Sequence, residues 1–191
     1  RNYGRYLGQR YREFDNIIWL NGGDYSPPAQ GRVLVNAIAE GIREFDTRHL
    51  QTAHCSPEDS ALDIYPGAAW LDLNTTYSYW PALYESVLFD YNRADTRPFF
   101  MLESAYENDF LGAPASRTRR QAWWSNLCGA TGQIFGNNPI WFFGSGWQAA
   151  LNSPGAENMR HVAALFATIP WWTLVPDQTH TVVVAGYGTP G

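Results

Sequence analysis

One tetrapeptide occurs twice in this chain. Arg12-Glu13-Phe14-Asp15 and Arg43-Glu44-Phe45-Asp46 each close a segment of helical periodicity, with Tyr3, Leu7, Tyr11 and Phe14 on the first and Leu34, Ile38, Ile42 and Phe45 on the second. Each copy is followed by a short strand-like run, 16–20 and 50–54. The offset between the copies, 43 − 12 = 31 residues, is close to one strand–helix–strand unit. The alternation continues. A strand is predicted over 70–77 (WLDLNTTY), then a helix carrying Leu83, Val87 and Tyr91 behind Pro81, whose fixed φ suits a first helical turn. PFFMLES (98–104) is the continuous apolar run of a strand buried on both faces. A helix over 117–130, a strand over 132–137 and a helix opened by Ser153-Pro154 follow.

Strand and helix in alternation mean a parallel sheet covered by helices, either doubly wound or closed as a barrel. No glycine-rich dinucleotide fingerprint and no phosphate-binding loop is present. A complete (β/α)8 barrel takes about 250 residues. With 191 residues and five strands, the first of them preceded by a helix, the expected fold is α/β, the C-terminal portion of a TIM barrel, about strands four to eight. Residues 1–178 would form this partial barrel. Residues 179–191, with HTVVVAGYG at 180–188, would be the barrel exit or the start of a truncated C-terminal β domain. The crossover after residue 54 reads mostly as loop, 55–69.

Composition narrows the function. The net charge is −5 with no Lys/Arg run, which removes the electrostatic footprint of a nucleic-acid binder. No window approaches the ~18–20 apolar residues of a membrane span, and the start at Arg1, inside a helical pattern, says nothing about export. Cys55 and Cys128 read as isolated thiols. The 9 Trp, 11 Tyr and 10 Phe suit a carbohydrate site, where sugar rings stack on aromatic faces, as well as a large core.

In a parallel barrel the reacting groups lie just past the C-terminal ends of the strands. Two carboxylates fit that position: Asp24, after Asn21-Gly22-Gly23, and Glu103, directly after Phe99-Phe100-Met101-Leu102. An unpaired charge against an apolar run costs several kcal/mol, so two such acids suggest a site. Glycosidic hydrolysis is the reaction that most simply asks for two facing carboxyls. The glycines let the backbone turn sharply beside Asp24. Two bland readings stand beside these: Asp24 as the cap of the following helix, and Glu103 as a surface or ion-paired acid.

Five blocks, NIIWLNGGDY, RHLQTAHCSP, WLDLNTTYSY, PFFMLESAYE and GATGQIFGNNPIW, occur in an order that resembles the apiosidase-like glycoside hydrolases, a (β/α)8-barrel family of secreted bacterial enzymes, over about residues 3–178. The resemblance implies a cofactor-free glycosidase acting on plant cell-wall pectic side chains. Asp24, ending the fourth strand, would be its general acid/base, and Glu103, ending the seventh, its nucleophile. It implies an oligo- or polysaccharide as partner, a secreted or periplasmic location, and a missing N-terminal half of the barrel with, further on, a C-terminal β domain. His54 would donate to a sugar hydroxyl or a catalytic carboxylate. Tyr77 lies where related retaining barrels place a tyrosine on the nucleophile. Asn137, Asn138 and Trp141 would supply polar contacts and a stacking platform. Each of these five also has a packing role open to it. Tyr106 and Glu107 fit a solvated loop, and Trp123 and Trp124 barrel-to-helix packing. Cys55 departs from the pattern, standing where a bulkier residue is expected. The alternative functions are a non-catalytic carbohydrate-binding barrel and an inactive fragment. A metal hydrolase is disfavoured because His54 and the acids lack compact ligand spacing.

Overall fold

The computed structural model describes residues 1–186 and divides the helix–strand alternation between two units, Arg1–Tyr77 with Arg97–Phe99, and Ser78–Thr96 with the chain from Phe100 onward. In the first unit, α1 (Asn2–Tyr11) packs on α2 (Ala29–Arg43). The contact is not made by the expected aromatic stripe, since Tyr3 is 62% and Phe14 54% exposed. It is made by glycines. A Cβ on Gly4 would lie 2.0 Å from the Ile38 carbonyl oxygen, one on Gly8 2.5 Å from that of Ile42, and one on Gly41 2.4 Å from that of Arg1. The two backbones therefore touch, and only residues without a side chain allow it. Arg1 and Arg5 pair with Glu44 across this crossing, exposed contacts that add little to stability.

After α1 the chain enters β1 (Trp19–Gly22), which pairs in parallel with β2 (Gln51–His54), Trp19 opposite Gln51 and Gly22 opposite His54. Asn21 and Gln51 are buried and hydrogen-bonded: Asn21 Nδ2 donates to Gln51 Oε1 (3.1 Å) and to the Thr52 carbonyl (3.2 Å), and Gln51 Nε2 to the Ala39 carbonyl (3.1 Å). The crossover after β2 holds one helical turn, α3 (Ala61–Ile64), and leads to β3 (Asn74–Tyr77). That strand is shorter than the expected 70–77. Trp70 and Leu71 instead turn into a core with Ala39, Ala53, Cys55, Leu62 and Tyr65. Arg43 holds this turn through the Trp70 carbonyl (2.9 Å) and an ion pair with Asp72.

The two copies of the repeat have different environments. Asp15 is exposed and pairs with Arg48, whereas Asp46 is 1% exposed. Asp46 accepts from Trp19 Nε1 (2.7 Å) and from the amides of Arg48 (3.2 Å) and His49 (3.1 Å), with His49 Nδ1 at 2.7 Å. Burial pushes its carboxyl up, but the hydrogen bonds from Trp19, His49 and the two amides outweigh this and hold it below its ordinary value.

The second unit contains α4 (Tyr84–Tyr91), β4 (Phe99–Glu103, all but Phe99), α5 (Ala115–Leu127), a short α6 (Trp147–Ala150) and α7 (Pro154–Phe166). Ser153 caps α7, its Oγ accepting from the Ala156 amide at 3.2 Å, ahead of proline at the first helical position. Trp124 meets Tyr84 edge-on at 5.0 Å and Trp123 lies 5.9 Å from Phe166, so both pack as expected, but in these contacts against α4 and α7 rather than against a strand. The segment 132–137 does not form the predicted strand. It runs parallel to the β4 segment in two isolated bridges, Met101 with Gln133 and Glu107 with Asn137. Between them Gly136 presses against the Tyr106 ring, where a Cβ would come within 2.1 Å, and the ladder is broken. Residues 180–186 form no strand, and 187–191 lie outside the described residues. No helix among the described residues is long and apolar enough to cross a membrane.

Candidate active site

The first unit carries Asp24, His54 and Tyr77. β1 ends at Gly22 with φ +85°, and a Cβ there would lie 3.1 Å from the His54 carbonyl. The turn thus needs glycine both for its backbone angle and for its approach to β2. Asp24 follows at φ +49°, a left-handed conformation that Asp tolerates better than most residues. Its side chain is exposed and has no hydrogen-bond partner among the described residues. It does not cap α2, which begins at Ala29 behind Pro28. What fixes this loop is a reciprocal clip two residues on: the Ser26 amide donates to Ser56 Oγ (2.8 Å) and the Ser56 amide to Ser26 Oγ (3.0 Å). His54 ends β2, half-buried, with its ring 5.5 Å from that of the buried Tyr77, tilted by 55°. Cys55, next to it, is 1% exposed, and burial, first of all, pushes its thiol up to about 12. A thiol so placed is inert core rather than a nucleophile.

The second unit carries Glu103 at the C-terminal end of β4, half-buried. The Tyr79 hydroxyl donates to Glu103 Oε1 at 2.6 Å, the short distance of a charge-assisted O–H···O bond. The Ser78 amide donates to the Glu103 carbonyl (3.1 Å), so neighbouring residues hold both ends of this glutamate. Tyr79 is itself fixed by Arg117 Nη2, from α5, which donates to its carbonyl (2.8 Å); Phe110, largely in solvent, stands edge-on beside its ring at 6.3 Å. Burial, and after it the charge of Arg120, holds the Arg117 guanidinium below its ordinary value.

Beyond Glu103, Glu107 is not in a solvated loop as expected. It is 2% exposed and its carboxylate accepts from Ser153 Oγ (2.5 Å), the Gly155 amide (2.8 Å) and Asn137 Nδ2 (2.9 Å). The acid sits on the N-terminus of α7, where unpaired amides and the helix dipole favour a negative charge. Asn137 is likewise 2% exposed and also donates to Ser153 Oγ (3.2 Å), while its Oδ1 is buried without a partner among the described residues. Asn138 Nδ2 lies 3.5 Å from Asp109 Oδ1. Trp141, 60% exposed on a 3-10 turn, stands edge-on to Phe142 at 4.7 Å.

Within the units, then, His54 and Tyr77 come together, as do Glu103 and Tyr79, and Asn137 and Glu107. Sequence reasoning did not name Tyr79, Arg117, Phe110, Ser26 or Ser56. A faint signal existed only for Tyr79: in Tyr77-Ser78-Tyr79 the two rings are one strand period apart, and both qualify for the position beside the nucleophile.

The family model described as "Apiosidase-like, catalytic domain" matches residues 1–173. Among solved structures, a protein titled "Glycoside hydrolase" superposes with a TM-score of 0.82 at 27% identity, over 93% of this chain and 48% of that one. A glycoside hydrolase family 5 protein from Bacteroides vulgatus superposes with a TM-score of 0.84 at 26% identity, over 99% of this chain and 48% of that one. This chain thus spans about half the length of both structures. No curated protein matches the sequence. The mixed α/β fold is consistent with part of a barrel, and the chain belongs to the apiosidase-like catalytic-domain family, with glycoside hydrolases as its structural neighbours.

Proposed function

We propose that this chain supplies both carboxylates of a retaining glycoside hydrolase that cleaves plant cell-wall pectic side chains outside the cell. The observation that carries the reading is Glu103: a carboxylate at the end of an apolar strand, oriented by a 2.6 Å bond from Tyr79, in a chain of this family. A nucleophile needs this arrangement. The carboxylate is kept in one position, and the Tyr79 hydroxyl steadies its charge for attack on the anomeric carbon.

Asp24 is assigned the general acid and then the general base. It stands exposed at the end of β1, on a loop that Gly22 and the Ser26–Ser56 clip hold in place, with no hydrogen-bond partner among the described residues. As acid it protonates the departing oxygen while Glu103 forms the glycosyl ester. As base it takes the proton of the water that releases the sugar, so the two inversions sum to retention. His54 and Trp141 are assigned to substrate binding, as polar contact and stacking surface, and Asn138 as a second polar contact.

The test is kinetic, in the full-length protein. Glu103→Gln is expected to abolish turnover for every leaving group. Asp24→Ala is expected to keep most of its glycosylation rate on activated aryl glycosides and to release product slowly. Added azide, which needs no general base, then speeds release and yields a glycosyl azide of the substrate's own anomeric configuration. An azide product of inverted configuration, or rescue in the Glu103 variant alone, would show the roles to be exchanged.

A further inference from the structure

The loop that follows Glu103 is built to hold one aromatic ring in solvent. Phe110 is 79% exposed, yet the loop that carries it is held by hydrogen bonds. Three residues before it, Glu107 is anchored by Ser153, Gly155 and Asn137. The loop is closed by the Asn108 amide on the Ala113 carbonyl (3.3 Å) and the Gly112 amide on that of Asp109 (2.7 Å), with Gly112 at φ +58°. The Phe110 amide itself donates to Asp109 Oδ1 (2.8 Å). Ala113, where the loop returns, is 1% exposed.

A large apolar ring on a pinned loop loses little conformational entropy when a ligand covers it and gains the burial of its face, so such a ring binds more tightly than one on a mobile loop. Its position names the ligand. Phe110 touches Tyr79 edge-on, at 6.3 Å and 77°, and the Tyr79 hydroxyl rests on Glu103. One aromatic side chain therefore separates Phe110 from the proposed nucleophile. An edge-on contact leaves ring face open, and the molecule that passes Glu103 is a sugar chain, whose axial C–H groups make an apolar face of matching size.

We propose that Phe110 is the platform of a sugar-binding subsite beside the cleavage point, stacking on a residue of the substrate other than the one whose glycosidic bond Glu103 attacks. The proposal rests on the glycosidase reading above. It makes Phe110 a specificity residue: it selects for substrates long enough to reach it and leaves the bond-breaking step untouched.

The experiment uses the full-length protein with Phe110→Ala and Phe110→Trp, and two probes: an aryl monoglycoside that the wild type hydrolyses, and pectic oligosaccharides of increasing length. Affinity for the oligosaccharides is also measured by calorimetry in a Glu103→Gln background. Phe110→Ala should weaken binding of the longer oligosaccharides about tenfold, the loss expected of one stacking contact. It should leave kcat/KM on the monoglycoside within about twofold, and Phe110→Trp should restore the longer substrates. Equal losses on both probes would overturn the proposal. So would an unchanged oligosaccharide affinity with a lowered melting temperature, which would make Phe110 a packing residue. Turnover retained by Glu103→Gln would instead overturn the catalytic reading, and the calorimetric comparison would still decide for or against Phe110.

Discussion

Removing the Glu107 carboxylate tests whether that acid is structural. It is 2% exposed and three donors converge on it, Ser153 Oγ at 2.5 Å, the Gly155 amide at 2.8 Å and Asn137 Nδ2 at 2.9 Å. In Glu107→Ala all three lose their acceptor together. The Ser153 hydroxyl can turn elsewhere, but the Gly155 amide stays buried and unsatisfied, at about 1–3 kcal/mol, and Asn137 Nδ2 keeps only its longer bond to Ser153 Oγ, at about 1 kcal/mol more. The negative charge at the start of α7 is lost as well, for about 0.5–1 kcal/mol more. The sum is about 2.5–5 kcal/mol, which lowers the melting temperature by on the order of 10 °C. Glu107→Gln should be milder, by about 1–2 kcal/mol in all. Its Oε1 still accepts from Gly155, Ser153 can reverse its hydroxyl, and Asn137 can rotate to offer Oδ1, an atom now buried without a partner among the described residues. Thermal melting of the full-length variants checks the order, wild type above Gln above Ala, and hydrogen exchange at 155 and 156 checks its location. An alanine variant as stable as wild type, with a raised KM, would refute the reasoning and put Glu107 in the substrate site.

Three further outcomes follow from the geometry. Gly4→Ala forces a Cβ to 2.0 Å from the Ile38 carbonyl oxygen, and denaturant unfolding should show a loss of about 2–3 kcal/mol or more, because backbone rather than a flexible side chain stands in the way. Asp46 has a carboxyl held below its ordinary value, so its stabilisation is complete above about pH 4 and is lost as pH falls through the lowered folded value; Asp46→Asn should flatten the acid side of the stability–pH curve. Tyr79→Phe takes the 2.6 Å bond from Glu103 and should lower kcat/KM about 10- to 100-fold, the worth of a hydrogen bond to a charged group, with little change in melting temperature; an unaltered rate would separate Tyr79 from the chemistry.

The sequence displayed what hydrophobic period and terminus chemistry encode. Both repeated helix–strand units, the apolar strand ending at Glu103 and the Ser153-Pro154 start of α7 were legible for that reason. The burial of α1 was not, because its contact surface is Gly4 and Gly8, which carry no hydrophobic signal, while the visible Tyr3 and Phe14 face outward. The run 132–137 has strand composition, but Gly136 lies against Tyr106 and the pairing breaks into two bridges. Glu107 was misread because its partners, Ser153 and Gly155, are 46 and 48 residues away and only the fold brings them close. The position of Asp24 was visible in its glycines, whereas the Ser26–Ser56 clip that steadies its loop links two serines 30 residues apart that no local pattern connects.

The central claim, that Glu103 forms a covalent bond with the substrate sugar, can be put to one measurement. The full-length protein is incubated with a 2-deoxy-2-fluoro glycoside bearing an activated leaving group, which forms the glycosyl ester but hydrolyses it slowly, and the digested protein is mapped by mass spectrometry. One fluoroglycosyl group per molecule on the peptide containing Glu103, absent from Glu103→Gln, is the result predicted. A label on a different carboxylate, or steady turnover of the natural substrate to a product of inverted configuration with no label anywhere, would contradict it.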